Sequence, residues 1–330
     1  MRDIAEKLGV SIKTVSGALN GSAVRMSAET RSRILTLADE LGYKPNIVAR
    51  GMRQGVLPVV GLVAEGLITL PFATEIVRSL DNACRMHGLL VVATNVGATR
   101  SAADGVADAQ RFLPTAIVYA TSYHRVVTLD ETVRQSVRLF LNCSETSGKV
   151  PAIVPDEQQA GAEIVAHCFA RGRRRIAFLN LPGLVAGTLR EAGFRNAHAA
   201  HGVAVTEDWL LPATRGARYT EYAVSLVRQH VDALVSALPR PDTILCGNDR
   251  VALEVYGALR ANGVRIPDDI AVVSFDNQTD IARRLDPPLT TMALPHREIG
   301  RRAAEVITGT GPALQPLQRI PFRLIERDSV

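Results

Sequence analysis

From Leu57 onward the chain alternates short apolar runs with longer amphipathic stretches, and no other feature constrains its fold as much. Residues 59–63, 89–94, 116–119 and 137–141 read as strands, as do 175–179, 243–246 and 270–275. Between them, residues 74–87, 158–171, 219–238 and 250–262 have the spacing of half-buried helices. Repeated strand–helix units imply parallel sheets covered on both faces, because a parallel crossover needs a dozen or more residues. The run is too long for one sheet, so two doubly wound α/β subdomains are expected. Ligands of such sheets bind beyond the carboxyl ends of the strands. The cleft between the two halves is therefore the expected small-molecule site.

The first 57 residues differ in period and in charge. They carry nine Lys and Arg against five Asp and Glu, so nearly all of the chain's net +5 lies in about a sixth of its length. A basic module on a nearly neutral body suits contact with nucleic acid. Ile4, Ala5 and Leu8 line one face of a short helix, and Gly9 allows a tight turn after it. Ser11 is placed to cap a second helix with Val15, Ala18 and Leu19 inward. Ser27, with Glu29 in the first turn, starts a third, with Ile34, Leu37, Ala38 and Leu41 as its stripe. Pro45 helps to stop it. Three short helices with a tight turn between the first two fit a helix-turn-helix.

The segment Asp3-Ile4-Ala5-Glu6-Lys7-Leu8-Gly9-Val10-Ser11, then Thr14-Val15-Ser16 and Leu19-Asn20, and later Leu41-Gly42-Tyr43-Lys44-Pro45-Asn46 with Ala49-Arg50, resembles the headpiece and hinge of the LacI/GalR family of transcriptional regulators. The resemblance implies that residues 12–20 form a recognition helix, with Ile12, Lys13 and Ser16 at its exposed start, where side chains reach base edges or phosphates. It implies phosphate contacts for Thr14, Asn20 and Tyr43, which set register without reading sequence. Relatives usually carry Arg after Thr-Val-Ser; here stands Gly17, which withdraws a contact to guanine worth about 1–3 kcal/mol of discrimination. Relatives also have residues before the first Asp-Ile-Ala that supply an N-cap. Here either the start lies upstream or the first turn frays. Residues 46–53 match the hinge, which in the family turns helical on the operator and presses an apolar residue into the minor groove. Met52 holds that place, with Asn46 and Ala49 beside it.

The remainder is similar to the periplasmic-binding-protein type of core found in the same family. The matching segments include Leu70-Pro71-Phe72, Arg190-Glu191-Ala192-Gly193-Phe194, Gly247-Asn248-Asp249, Val273-Ser274-Phe275-Asp276, Pro288-Leu289-Thr290-Thr291 and Arg327-Asp328-Ser329. The expected fold is thus α/β: a small all-α helix-turn-helix headpiece (residues 1–45), a hinge (46–57) and a core (58–330) of two doubly wound subdomains. The first subdomain is expected over about 58–155 and 289–318, the second over about 156–288 and 319–330, with three crossings. Effector residues implied by the resemblance are Phe72, Asn142, Arg190, Tyr222, Asn248 and Asp276. Asn142 stands where many sugar-responsive relatives have Asp. One cation, Arg190, and one anion, Asp276, favour a neutral sugar or polyol over a dicarboxylate.

Other classes fit poorly. There is no G-x-G-x-x-G, P-loop, G-x-S-x-G or H-E-x-x-H, and the seven histidines lack metal spacing, so neither an enzyme nor a metal or cofactor is expected. Most of those histidines fall on expected helix surfaces. Cys84, Cys143, Cys168 and Cys246 lie far apart, as reduced thiols of a cytoplasmic protein do. No apolar run approaches the roughly 18 residues needed to span a bilayer. A solute-binding transport protein shares the core fold but would carry a signal peptide and no helix-turn-helix. A purine- or nucleoside-responsive regulator is the other alternative. The resemblance implies a homodimer on pseudo-palindromic operator DNA, governed by a sugar-like effector.

Overall fold

A computed structural model describes residues 1–20, 24–43, 56–67, 73–216 and 223–330, with Asn20 described in its backbone alone. It divides into two compact units, Met1–Pro58 and Val59–Val330.

In the first unit, α1 (Arg2–Leu8) ends at Gly9, whose φ of +63° is the left-handed turn that glycine takes without strain. In front of α2 (Ile12–Asn20), the Ser11 hydroxyl accepts the Thr14 backbone N–H at 3.0 Å. Before α3 (Ala28–Glu40), Ser27 does the same for Thr30 at 3.1 Å. Each cap contributes about 1 kcal/mol to its helix. Ile4, Ala5, Val15, Ala18, Ile34 and Ala38 close on one another as the core. Leu41 departs from expectation. The third helix ends at Glu40, Leu41 leaves helical geometry, and its side chain is exposed.

The second unit holds two six-stranded sheets. β1 (Leu57–Glu65), β2 (Leu90–Val96), β3 (Pro114–Val127), β4 (Leu139–Glu145) and β5 (Ala152–Pro155) lie in the first. β6 (Ile176–Asn180) and β7 (Leu210–Pro212) begin the second, while β8 (Thr214–Arg215) and β9 (Val224–Ser225) pair only with each other. β10 (Thr243–Cys246), β11 (Ala271–Asp276) and β12 (Thr290–Ala293) continue the second sheet, β13 (Leu317–Ile320) returns to the first, and β14 (Arg323–Ile325) closes the second. The orders are β13-β5-β4-β3-β1-β2 and β14-β12-β11-β10-β6-β7.

Both faces of each sheet are covered, which is why the strands read as continuous apolar runs. Val60, Leu62 and Ala64 of β1 face Ile76 and Leu80 of helix Thr74–Met86 and Ile299 and Ala303 of helix His296–Thr308. Val63 packs on the opposite face with Val106 and Ala109 of helix Ala102–Gln110. In the second sheet, Phe178, Leu245 and Val273 meet Ile164 and Phe194, while Ile244, Cys246 and Val272 meet Val251 and Val255.

The chain crosses between the sheets three times, after β5, β12 and β13. The expected return at residue 289 is corrected: β12 pairs parallel with β11 in the second sheet, so the crossing falls after Ala293. Thr-Thr-Met-Ala is too short and too mixed to declare itself as a strand. The expected break at 318 is corrected likewise, since β13 runs to Ile320 beside β5. Of the expected helix over 219–238, the described residues 223–238 form one over Val227–Ser236. All four cysteines are buried and free.

Candidate functional sites

Helices Glu157–Ala170 and Val185–Ala200 cross on a pair of glycines. A Cβ on Gly161 would stand 2.3 Å from the Arg190 carbonyl oxygen, and one on Gly193 would stand 2.1 Å from that of Gln158. Only bare backbone permits this approach, and the approach brings Arg190 to Glu157. The Arg190 Nε donates to Glu157 Oε2 at 2.7 Å, and Nη1 donates to the Gly247 carbonyl at 2.6 Å. Its Nη2 lies 3.8 Å from Asp276 Oδ1, and the guanidinium sits 4.4 Å above the Phe275 ring. Arg190 and Glu157 are 3% and 2% exposed, so this is a charge pair withdrawn from water. Burial pushes the Glu157 carboxyl up, but Arg190 and His124 outweigh it and hold the group below its ordinary range.

Two more polar groups come from the ends of β10 and β11. Asn248 caps helix Asp249–Ala261, its Oδ1 accepting the Val251 N–H at 3.0 Å. Asp276 ends β11 with φ +107° and Asn277 follows at +53°. Such conformations cost of order 1–3 kcal/mol for residues with side chains and concentrate at functional sites. Arg327 steadies the turn by donating to Asn277 Oδ1 at 2.7 Å. Behind it, Asp249 Oδ1 accepts from the Thr291 hydroxyl at 2.9 Å and Oδ2 from the Gln278 N–H at 2.6 Å. Burial and then the nearby Asp276 push the Asp249 carboxyl up to about 7.

The opposite wall is a bulge. Ala120 pairs with Leu141 and Arg125 with Cys143, so four residues of β3, Thr121 to His124, stand against the single residue Asn142 of β4. Asn142 has φ +57°, which Asn tolerates better than most residues. Its Nδ2 donates to the Thr121 carbonyl at 3.0 Å, and the Thr121 hydroxyl donates back to the Asn142 carbonyl at 2.9 Å. The Asn142 Oδ1 is buried and has no partner among the described residues. Tyr123 leans on the core of the second half. His124 Nδ1 stands 3.8 Å from Glu157 Oε1, an ion pair whenever the imidazole carries a proton. Ser122, Tyr123, His124 and Asn142 thus face Glu157, Arg190, Asn248 and Asp276 across a cavity of about 30 Å³, room for about two waters. A wider chamber of about 540 Å³ adjoins it and shares Asp276, Leu294 and His296.

The structure therefore gathers four of the six expected effector residues: Asn142, Arg190, Asn248 and Asp276. Phe72 and Tyr222 lie outside the described residues. Arg190 pairs with Glu157 and Asp276 rather than with Glu191 or Asp249. Sequence reasoning misses Glu157, which lies just before the expected helix over 158–171, and also His296 and the bulge, because the expected strand ends at Tyr119. His124, His198 and His296 are buried and are the exceptions to the expectation that most histidines lie on helix surfaces.

At the basic end, Ile12 and Lys13 are exposed at the start of α2, and Thr14 and Ser16 are half-buried beside them. Tyr43 packs on the edge of the headpiece core. The Asn20 side chain and residues Asn46, Ala49 and Met52 lie outside the described residues. Gly17 is buried, and a Cβ there would meet Val24 Cβ and Cγ2 at 2.7 Å. The glycine thus has a packing reason: the segment after α2 rests where a side chain would begin.

No helix among the described residues is long and apolar enough to cross a membrane. Residues 1–46 match the lacI family of bacterial regulatory proteins, and residues 165–330 match the periplasmic binding protein-like domain. The sucrose operon repressor of Escherichia coli is 34% identical over 336 residues, spanning 100% of this chain and 99% of that protein. A lacI-family transcriptional regulator from Rhizobium etli superposes with a TM-score of 0.74 at 28% identity, over 82% of this chain and 98% of its own. The lac repressor dimer bound to operator and an anti-inducer shares the fold at TM-score 0.74 and 24% identity, over 99% and 97% of the two chains. The relatives are transcriptional repressors and not enzymes. This chain, too, belongs to the lacI family of bacterial regulatory proteins.

Proposed function

We propose that this regulator represses a sugar-utilisation operon and is governed by a saccharide bound between the two halves of its core. One observation carries the reading. Buried polar groups from both halves converge on one cavity, and one of them, the Asn142 Oδ1, has no partner among the described residues. An unpaired buried acceptor costs about 1–3 kcal/mol, which a ligand hydroxyl relieves. The relationship to a sucrose operon repressor supports the choice of a sugar.

On this reading Ile12, Lys13 and Ser16 reach base edges of a pseudo-palindromic operator, and Thr14, Asn20 and Tyr43 hold its phosphates. Asn46, Ala49 and Met52 belong to a hinge that packs against its copy in a homodimer. The inner cavity, about 30 Å³, is far smaller than a sugar ring, so a sugar held by all four of its gathered polar residues needs the halves to part. The ligand then shifts the closure equilibrium by no more than its differential affinity for the two states. A gel shift with DNA from upstream of the gene tests this. A palindromic fragment should be retarded, and one member of a saccharide series should change the retardation. Asp276→Ala should abolish that response and leave operator binding intact. If no fragment is retarded at low salt, with or without sugars, the reading fails.

A further inference from the structure

Resting on the cleft as the effector site, the geometry points to a charge filter: we infer that the inner cavity accepts only uncharged polyhydroxyl ligands and that Glu157 is the residue that enforces this. Among the described residues Arg190 is the one guanidinium on the cavity wall, and Glu157 and the Gly247 carbonyl already hold two of its five N–H donors. Its Nε is held by Glu157, Nη1 by the Gly247 carbonyl, and Nη2 faces Asp276. A phosphate or carboxylate of a ligand would have to compete at this guanidinium with Glu157, which the protein itself supplies at 2.7 Å, and with Asp276 beside it.

The helix ends tell the same story. The start of a helix attracts anions because its first N–H groups lack partners. Here Glu157 occupies the first position of helix Glu157–Ala170, and Asp249 the first of helix Asp249–Ala261. Among the described residues, two carboxylates, Glu157 and Asp276, line the cavity against the one guanidinium of Arg190, and Asp249 stands behind them. The histidines do not reverse the balance: His124 faces Glu157, and His296 begins a helix whose first turn holds Glu298. In the outer chamber, Arg78 and Arg297 share Glu75 and are largely exposed, so water screens them. What remains for a ligand is the Asn142 Oδ1, carboxylate oxygens and neutral amides, which is what hydroxyl groups pair with.

Isothermal titration of the full chain with neutral saccharides, and with the same sugars phosphorylated or oxidised to uronates, reads the filter directly. The expected result is a neutral ligand whose anionic counterpart binds at least about 100-fold more weakly. An anionic sugar that binds as tightly as its neutral parent overturns the inference while leaving the effector site in place. Inorganic phosphate gives a test that needs no known sugar. Glu157→Gln frees the guanidinium, so phosphate should raise its melting temperature more than that of the wild type. The doubly neutral Glu157→Gln/Arg190→Gln gives the baseline for phosphate bound elsewhere, the headpiece included. Equal phosphate responses in wild type and Glu157→Gln sink the filter. If Glu157→Gln does not fold, the wild type and the double variant decide, and a larger response in the wild type sinks it. If no saccharide binds at all, the sugar reading falls, and the phosphate comparison still judges Glu157.

Discussion

The two walls of the cleft are built by different means. The second half contributes Glu157, Arg190, Asn248 and Asp276, each at a strand end or in the first turns of a helix, and most are already bonded to one another. The first half contributes Ser122, Tyr123, His124 and Asn142, all on or opposite one bulge, with no carboxylate and no guanidinium among them. One wall is thus a charged lattice held by regular structure, and the other a surface of hydroxyl, amide and imidazole groups held by a few side-chain bonds to backbone. On the proposed reading, the contrast assigns charge selection to the wall built by the second half.

Removing the lattice's centre should produce the largest effect. Arg190→Met leaves Glu157 and Asp276 buried without their cation, and such a break costs about 3–5 kcal/mol. Urea denaturation should register a loss of that order. A loss below about 1 kcal/mol would mean the charged wall is not a lattice at all. A smaller effect is expected across the cleft. Asn142→Asp keeps the size and tolerates the same backbone conformation, but its carboxylate cannot donate to the Thr121 carbonyl. About 1–3 kcal/mol of stability should go, and amide exchange at residues 121–124 should quicken while the second half stays protected. Uniform exchange through both halves would dissolve the distinction between the walls.

The smallest effect is one of slope. Burial and the neighbouring Asp276 push the Asp249 carboxyl up to about 7 in the folded chain, against 3.8 for an unperturbed carboxyl. The folded state therefore keeps a proton that the unfolded chain has released. The contribution of this group is complete below about pH 4 and is lost as the pH rises towards 7. Glu157, held below its ordinary range, acts in the opposite sense and loses its contribution on acidification. Asp249→Asn should flatten the fall in stability between pH 4 and 7. An unchanged slope would place the proton elsewhere.

Much of this was legible in the sequence, and for physical reasons. Apolar runs covered on both faces announce parallel strands, and Ser11 and Ser27 announce helix starts by a local bond that needs no tertiary partner. Arg190, Asn248 and Asp276 were legible through their resemblance to family positions. Glu157 was not, because a glutamate at a helix start is ordinary, and its partner lies 33 residues away across a contact made by Gly161 and Gly193. Nor was the bulge, whose existence depends on β4 resuming its register with Cys143 opposite Arg125. Gly17 was read as a lost base contact. Its packing against Val24 became visible only once the segment after α2 had a place.

Since β3 and β4 resume pairing beyond residues 121–124, these four residues stand outside the ladder and are held instead by Asn142, by the core of the second half and by Glu157. A change of side chain there reshapes the surface that faces Glu157 and Arg190 without touching a residue paired in either run of the ladder.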